Sequence, residues 1–185
     1  MNIHLKQAGS FLWEMIKVVG IALVIILPIR YFLVQPFYVK GSSMEPNYHD
    51  YEYLIIDELT YRFNEPHRGD VVVLRDPSSS GQYFIKRIIG LPGEIITISN
   101  GKVAINGVDL DESAYLSSVV ETYTSDDASI QLAGDQYYVL GDNRPVSHDS
   151  RRFGAVVEAE FVGRVWIRAW PFSRFNIYSY NESTH

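Results

Sequence analysis

A long apolar run close to the N-terminus sets the first limit on how this chain folds. Residues 18–34 read VVGIALVIILPIRYFLV, in which Arg30 is the only charged residue. Together with residues 11–17, a helix over this run is long enough to cross a bilayer with some tilt. We therefore predict an uncleaved transmembrane anchor over 11–34, preceded by a cytoplasmic N-terminus of residues 1–10.

Two alternatives for this run stay open. A cleaved secretory signal would have small residues after the apolar run, whereas an arginine and several large residues end it here. A helix buried in a soluble core usually has a polar face, and this run has none. The orientation signal is weak, because Lys6 and Lys17 favour a cytoplasmic N-terminus while Arg30 and Lys40 oppose it.

Beyond residue 35 the chain changes to short β-type runs separated by turn residues. Asn100-Gly101 lies between two such runs and predicts a hairpin, because a type I′ turn needs positive φ at both central residues. The predicted fold is mainly β, with an antiparallel domain over 35–185 that includes a small hairpin and loop lobe at about 95–135. The polar stretch 111–129 is predicted to be a loop, and we assign it no chemistry. The predicted strands are 53–56, 70–74, 83–89, 95–98, 102–105, 130–132, 137–140 and 165–169.

The composition narrows the chemistry that this domain can carry. The chain has 16 Lys and Arg against 22 Asp and Glu, a formal net charge of −6. Such an acidic chain lacks the basic surface that binds phosphate backbones, so we do not expect a nucleic-acid partner. The absence of cysteine excludes disulfides, thiolate metal sites and a cysteine nucleophile. No zinc-type ligand spacing is present, and we expect no metal or cofactor.

A lysine inside an apolar strand is the first candidate for catalysis. Side chains alternate along a strand, so Phe84, Lys86 and Ile88 are predicted to share a face. Two large apolar neighbours disfavour the ammonium form and would lower the lysine pKa from about 10.4 to about 7–8. A neutral amine could then take a proton from a hydroxyl. The alternative is a lysine on the solvated face of an edge strand.

Ser43 is the matching candidate nucleophile. It begins the tetrapeptide Ser-Met-Glu-Pro directly after the apolar run. A serine near Gly and Pro usually belongs to a turn, but its combination with a strand lysine favours a serine nucleophile with a lysine base. A third cluster, residues 141–151, is a polar loop directly after the apolar strand 137–140.

The three clusters, in this order after an N-terminal apolar run, resemble the motif boxes of bacterial type I signal peptidases, especially the short single-span Gram-positive form. The resemblance covers most of the chain, including Lys-Arg-x-x-Gly-x-Pro-Gly-Glu and Gly-Asp-Asn-Arg followed by Ser-x-Asp-Ser-Arg. It implies a serine endopeptidase that removes signal peptides from exported preproteins, with Ser43 as nucleophile and Lys86 as general base. It also implies that Ser147 supports the lysine, while Asp149 and Arg151 pair and hold the loop.

The resemblance further implies an enzyme whose β domain lies at the outer face of the cytoplasmic membrane, in contact with the bilayer and near the secretion translocon. Its substrates should have small residues at the first and third positions before the cut. We expect the Ser43 backbone N–H to stabilise the oxyanion. A second donor stays open, because Gly41 stands where some relatives have serine. Met44, Phe84 and Ile85 are the predicted pocket residues.

A Ser-His-Asp triad is the rival mechanism. His148 lies inside the third cluster, but its side chain should point away from its neighbours' if that stretch is extended. A self-cleaving repressor-type protease would carry a DNA-reading motif at its N-terminus instead of an apolar run. A non-catalytic relative acting as an assembly factor for surface structures would lack Ser43 or Lys86. The aromatic residues of 166–180 are predicted either to touch the bilayer or to pack in a last strand.

Overall fold

The structure is a computed structural model that describes residues 3–32, 34–78, 81–117, 120–124 and 128–179. Two α-helices are described, α1 (Ile3–Phe32) and the short α2 (Ser150–Phe153). The strands are β1 (Val34–Tyr38), β2 (Tyr53–Asp57), β3 (Val71–Arg75), β4 (Tyr83–Gly90), β5 (Ile95–Ser99), β6 (Lys102–Ile105), β7 (Val108–Asp109), β8 (Ala128–Gln131), β9 (Gln136–Leu140), β10 (Val156–Val157), β11 (Phe161–Trp170) and β12 (Asn176–Ile177).

The N-terminal helix is present, but it is longer than predicted at its start. α1 has 30 residues and begins at Ile3, and Val34 already belongs to β1. Its large apolar side chains between residues 11 and 26 are almost all exposed to solvent. Within the described ranges, no helix combines enough length with enough apolar character to count as a membrane span.

The rest of the described chain is mainly antiparallel β, as predicted. The main sheet has eight strands in the order β1-β2-β11-β3-β4-β9-β10, with β12 paired to β11. A second sheet of four strands, in the order β7-β6-β5-β8, forms the predicted lobe. The predicted hairpin is present between β5 and β6, where Asn100 has a φ of 50° and Gly101 a φ of 77°.

The central strands of the main sheet are buried on both faces. On β3, Val71 and Val73 pack into one apolar cluster, whereas Val72 and Leu74 pack into another. A third cluster joins the main sheet to the lobe through residues of β4, β5, β6 and β9. Strands buried on both faces have nearly continuous apolar sequences, which explains the runs at 70–74 and 137–140.

A bulge at the end of β4 brings the lobe against the main sheet. The register of β4 with β9 shifts between Ile88 and Gly90. A Cβ atom at Gly90 would lie 2.5 Å from the end of the Ile96 side chain of β5, so glycine at this position favours the close approach. The lobe therefore packs directly beside the strand that carries Lys86.

Candidate active site

Ser43 and Lys86 meet at the edge of the main sheet. Ser43 lies half-buried in the turn that follows β1, and Lys86 lies on β4 with only 2% of its surface exposed. Although 43 positions separate them in sequence, the Lys86 Nζ donates to the Ser43 Oγ at 3.0 Å. Nζ also donates to the Ile85 carbonyl oxygen at 2.8 Å. The amine is thus within proton-transfer distance of the hydroxyl.

Burial changes the acidity of Lys86 in the predicted direction. Desolvation lowers the pKa of Lys86 to about 8, although the charges of Asp149 and Asp142 oppose this change. No carboxylate in the described part of the chain forms an ion pair with Lys86. The alternative of a lysine on a solvated strand face is wrong, because only 2% of the Lys86 surface is exposed. A substantial neutral fraction of the amine is therefore present in mildly alkaline solution.

The predicted ion pair between Asp149 and Arg151 holds the loop after β9. The Asp149 carboxylate is fully buried and accepts from Nε and Nη2 of Arg151, both at 2.8 Å, and from the Gly141 N–H at 3.0 Å. Burial alone would raise the pKa of Asp149, but hydrogen bonds and the charge of Arg151, aided by the Gly141 N–H and Ser147, keep it below its ordinary value. The guanidinium therefore neutralises Asp149, so this carboxylate does not have to pair with Lys86.

Ser147 is buried beside the nucleophile's turn, but its predicted hydrogen bond to Lys86 is not formed. Among the described residues, the Ser147 Oγ has no hydrogen bond of good geometry. Gly141 separates Ser147 from Ser43, and a Cβ atom at Gly141 would collide with the Ser147 side chain and lie 2.5 Å from the Ser43 carbonyl oxygen. The Lys86 amine donates to the Ile85 carbonyl instead.

Sequence reasoning assigned no role to two residues that fasten the site. The N–H of Asn143 donates to the Ser43 carbonyl oxygen, and its side chain donates to the Ser42 carbonyl oxygen, both at 3.0 Å. Arg87 donates from Nε and Nη2 to Asp142 at 2.9 and 2.6 Å. Asn143, Asp142 and Arg87 all lie inside the quoted motif boxes, which was the available signal.

One backbone donor is available for an oxyanion. The Ser43 N–H makes no hydrogen bond to the part of the chain that the structure describes. The Gly41 N–H, in contrast, donates to Asp50 Oδ1 at 3.0 Å. Gly41 therefore supplies no second donor, and the second donor stays unassigned.

A cleft of about 120 Å³ opens onto the reacting groups. It is lined by Ser43, Lys86, Phe84, Ile85 and residues 37–40. The Met44 side chain is 1% exposed and packs into the core, and it does not line this cleft. β9 pairs with β4 only from Arg87 onward, so the earlier part of β4 borders the cleft.

A larger cavity of about 840 Å³ lies on the other side of the loop after β9. It is lined by Ser147, Arg151 and residues 120–121 and 123–124 of the lobe. Ser43 and Lys86 do not line it, so the smaller cleft is the place where a bond could be cut. No group of three or more metal-ligating side chains occurs within the described ranges.

His148 does not join the reacting groups. Its exposed ring packs near Phe84, with ring centroids 5.9 Å apart, and near Phe153 at 5.6 Å. Phe84 in turn lies under the lysine, with Nζ 5.3 Å from its ring centroid. Among the described residues, no hydrogen bond joins the His148 ring to Ser43 or Lys86.

Comparison with known proteins gives concordant matches over most of the chain. The family model described as signal peptidase, peptidase S26, matches residues 12–170. A signal peptidase I of Leptolyngbya laminosa is 37% identical over 175 residues, covering 91% of this chain and 84% of that protein. The signal peptidase I of Bacillus amyloliquefaciens is 35% identical over 174 residues, covering 90% of each.

Two further matches come from Gram-positive cocci. Signal peptidase IB of Staphylococcus aureus (strain MRSA252) is 34% identical over 185 residues, covering 92% of this chain and 95% of that protein. A crystal structure of a signal peptidase I from Enterococcus faecalis is 36% identical, with a TM-score of 0.46, and covers 55% of this chain and 97% of that one.

Proposed function

The chain belongs to the signal peptidase family, peptidase S26, and is a serine endopeptidase of the signal peptidase I type; from this we propose that Ser43 and Lys86 cut signal peptides from exported preproteins. The observation that carries the assignment is the 3.0 Å contact between the Lys86 Nζ and the Ser43 Oγ. The amine is buried and its pKa is lowered to about 8 by desolvation. Such a lysine can be a general base, which an exposed lysine with an ordinary pKa cannot.

The chemistry follows from this pair. Neutral Lys86 takes the Ser43 proton as Oγ attacks the scissile carbonyl, and the resulting ammonium returns the proton to the leaving amine. In the second step, neutral Lys86 takes a proton from water as the water oxygen attacks the acyl carbonyl. The bond from that carbon to Ser43 Oγ then breaks, and the ammonium returns the proton to Oγ. The Ser43 N–H is placed to donate to the oxyanion that forms in both steps.

The loop after β9 supports this base without touching it directly. Ser147 is buried beside Gly141, and a rotation of its hydroxyl toward the lysine would fix the direction of the amine. Asp149 and Arg151 neutralise each other and keep the loop in place. These three are supporting residues in our proposal, and Ser43 and Lys86 are the reacting ones.

The cleft favours a substrate with small side chains near the cut. Its volume of about 120 Å³ is bounded by Phe84, Ile85 and residues 37–40, most of which are apolar or aromatic. β1 is the edge strand of the main sheet, so an extended peptide can hydrogen-bond beside it. Phe84 and Ile85 form the floor that limits the side chain at the first position before the cut.

We place the enzyme in the cytoplasmic membrane, with the apolar run 11–34, most of which lies in α1, as a single anchor and the catalytic domain over 35–185 outside. α1 exposes apolar side chains on all sides, as a lipid-facing helix does.

Near the C-terminus, Trp166, Trp170, Phe172 and Phe175 are exposed, which suits contact with the bilayer interface. Tyr178 packs against Tyr48 in the core instead, and Tyr180 lies outside the described residues. Exported preproteins leaving the translocon would meet the site at this surface.

A non-catalytic assembly factor is the alternative, and the geometry disfavours it. Such a protein has no use for a buried lysine with a lowered pKa beside a serine hydroxyl. Both residues are present here and in contact.

Cleavage of a synthetic preprotein in detergent micelles tests the assignment. The wild type should cut after a small residue, while Ser43→Ala and Lys86→Ala should lose cleavage. Matched controls are Ser42→Ala, the exposed neighbouring serine, and Lys102→Ala, an exposed lysine paired with Asp109. Activity should rise with pH through about 8, where Lys86 loses its proton. Residual cleavage by Lys86→Ala at the same site would place the base elsewhere.

A further inference from the structure

Part of the polar stretch 111–129, to which we assigned no chemistry, contacts the turn after β1, strand β4 and the loop after β9. We call residues 112–117 and 120–124 the lobe segment. It lies between β7 and β8 in the sequence of the lobe, and Leu116 and Thr122 are buried in it. The side chains of Glu112, Tyr115 and Thr122 contact the main domain or one another, as described below.

The first set of contacts fixes the loop that carries Ser147. Arg144 is 1% exposed and donates from Nη2 and Nη1 to the two carboxylate oxygens of Glu112 at 2.5 and 3.0 Å. Its Nη1 also donates to the Thr122 Oγ1, and its Nε donates to the Gly141 carbonyl oxygen at 3.0 Å. Because Gly141 packs against both Ser43 and Ser147, the hydrogen bond from Arg144 to Gly141 links the lobe segment to both residues.

The second set reaches the nucleophile's turn and β4. The side-chain amide of Asn47 donates to the Tyr115 carbonyl oxygen at 2.7 Å and to Asp142 at 2.8 Å. The Tyr115 ring stacks on Arg87, with the guanidinium carbon 4.2 Å from its centroid, and Arg87 directly follows Lys86 on β4. The Tyr115 hydroxyl donates to Glu112 at 2.8 Å, which joins the second set to the first.

On the premise of the proposed function, we infer that Glu112, Tyr115 and Thr122 are positioning residues that hold Ser43, Lys86 and Ser147 in one reactive geometry. None of the three touches the reacting atoms. They act through Asn47 in the nucleophile's turn, Arg87 beside the base, and Arg144 in the loop after β9. Buried polar networks whose members are all satisfied are rigid and specify one arrangement, which is the property that a dyad needs.

The charge environment of Lys86 makes this inference measurable. Asp149 and Asp142 are the carboxylates that face the lysine, and Asp142 is itself held by Arg87 and Asn47. If the lobe segment loosens, water reaches the amine and Arg87 no longer holds Asp142 in place. Both effects favour the ammonium form, so the pH at which activity rises should increase.

The chain offers a closely matched control for Glu112. Glu94 binds Arg68 with the same two-oxygen geometry, at 2.5 and 3.0 Å, and its side chain is 18% exposed against 15% for Glu112. Arg68 of this pair also donates to the Ile89 carbonyl oxygen of β4, and Glu94 accepts from the Leu91 N–H, but no described hydrogen bond joins the pair to Asn47, Arg87 or Arg144. Glu94→Gln should therefore lower thermal stability much as Glu112→Gln does, without affecting catalysis.

The experiment compares kcat, KM and pH profiles of Glu112→Gln, Glu94→Gln, Thr122→Val and Thr122→Ser. We expect Glu112→Gln and Thr122→Val to lower kcat about 10- to 100-fold with little change in KM, and to move the rise in activity to higher pH. Thr122→Ser keeps the hydroxyl and should restore both values. The comparison of Thr122→Val with Thr122→Ser tests the positioning role even if Glu112→Gln fails to fold, because valine has the shape of threonine.

A second readout separates this inference from the proposed function. Nuclear magnetic resonance of 13C-labelled lysine follows the titration of Lys86 without any substrate, with Lys86→Met used to assign its signal. If the wild type cuts no preprotein, the proposed function fails, yet a Lys86 pKa raised in Thr122→Val and not in Glu94→Gln still supports the positioning role. The inference is overturned if Glu112→Gln and Thr122→Val unfold at lower temperature but keep the wild-type Lys86 pKa and kcat.

Discussion

At the residue scale, the acidity of one buried lysine depends on a neighbouring ion pair. Desolvation lowers the pKa of Lys86 to about 8, and the negative charge of Asp149 limits this decrease. Arg151 neutralises most of that charge at a distance of 2.8 Å. The pair of Asp149 and Arg151 therefore supports the loop and also sets the pKa of Lys86. The Asp149 carboxylate raises this pKa, and the Arg151 guanidinium opposes that effect.

Single substitutions in this pair should shift the pH profile in opposite directions. Asp149→Asn removes the charge that raises the Lys86 pKa and leaves Arg151 positive, so activity should rise at lower pH than in the wild type. Arg151→Met leaves Asp149 unneutralised, so activity should rise at higher pH. Each variant breaks a buried pair and should lose about 3–5 kcal/mol of stability. The pH profile of kcat/KM measures the shifts, and a shift of both variants in one direction would contradict this account.

At the scale of elements, the site depends on the close approach of two loops. The turn that follows β1 and the loop that follows β9 meet at Gly141, where a Cβ atom would lie 2.5 Å from the Ser43 carbonyl oxygen. The Asn143 N–H donates to the Ser43 carbonyl oxygen, and this hydrogen bond keeps the two loops together. Neither contact involves residues that are close in sequence.

A methyl group at this meeting point should separate the two loops. We expect Gly141→Ala to cost about 1–3 kcal/mol of stability through overpacking and to lower kcat about 100-fold by moving Ser43 away from Lys86. Gly134→Ala is the matched control, because a Cβ atom there meets nothing within 4 Å. Thermal unfolding and cleavage rates of both variants check this, and wild-type activity in Gly141→Ala would show that the turn can adjust.

The sequence predicts secondary-structure elements well where neighbouring residues form an apolar run or a turn motif, and poorly where they do not. Alternating or continuous apolar runs identify β3, β4 and β9, and Asn100-Gly101 identifies the hairpin. β1 was missed because its sequence continues the apolar run of α1, and β7, β10 and β12 are pairs of residues without a pattern. The dyad is recognisable from its motifs, but the network of Glu112, Tyr115 and Thr122 joins distant segments and has no sequence signature.

At the scale of the whole molecule, the distribution of apolar surface divides the chain into two parts. The β domain buries its apolar residues in three clusters, whereas α1 exposes nearly all of its described ones. Exposed apolar area of this size on a helix needs a partner in water or in lipid. The proposed partner is the bilayer, which would also bring the exposed tryptophans near the C-terminus to the interface.

Charged substitutions in α1 test this division directly. An aspartate at the centre of a spanning helix costs about 2.5–3.5 kcal/mol of insertion free energy, so Leu23→Asp combined with Val19→Asp should release much of the chain from membranes. Both side chains are exposed on α1, and Phe63→Asp, on the exposed surface of the β domain, is the control that should stay bound. Cleavage of a micellar preprotein should be unchanged in all three proteins, because the dyad lies in the β domain. Membrane fractionation after an alkaline wash measures the outcome. Retention of the double variant in the pellet, or release of the wild type, would mean that α1 does not anchor the enzyme and that its apolar surface binds something other than lipid.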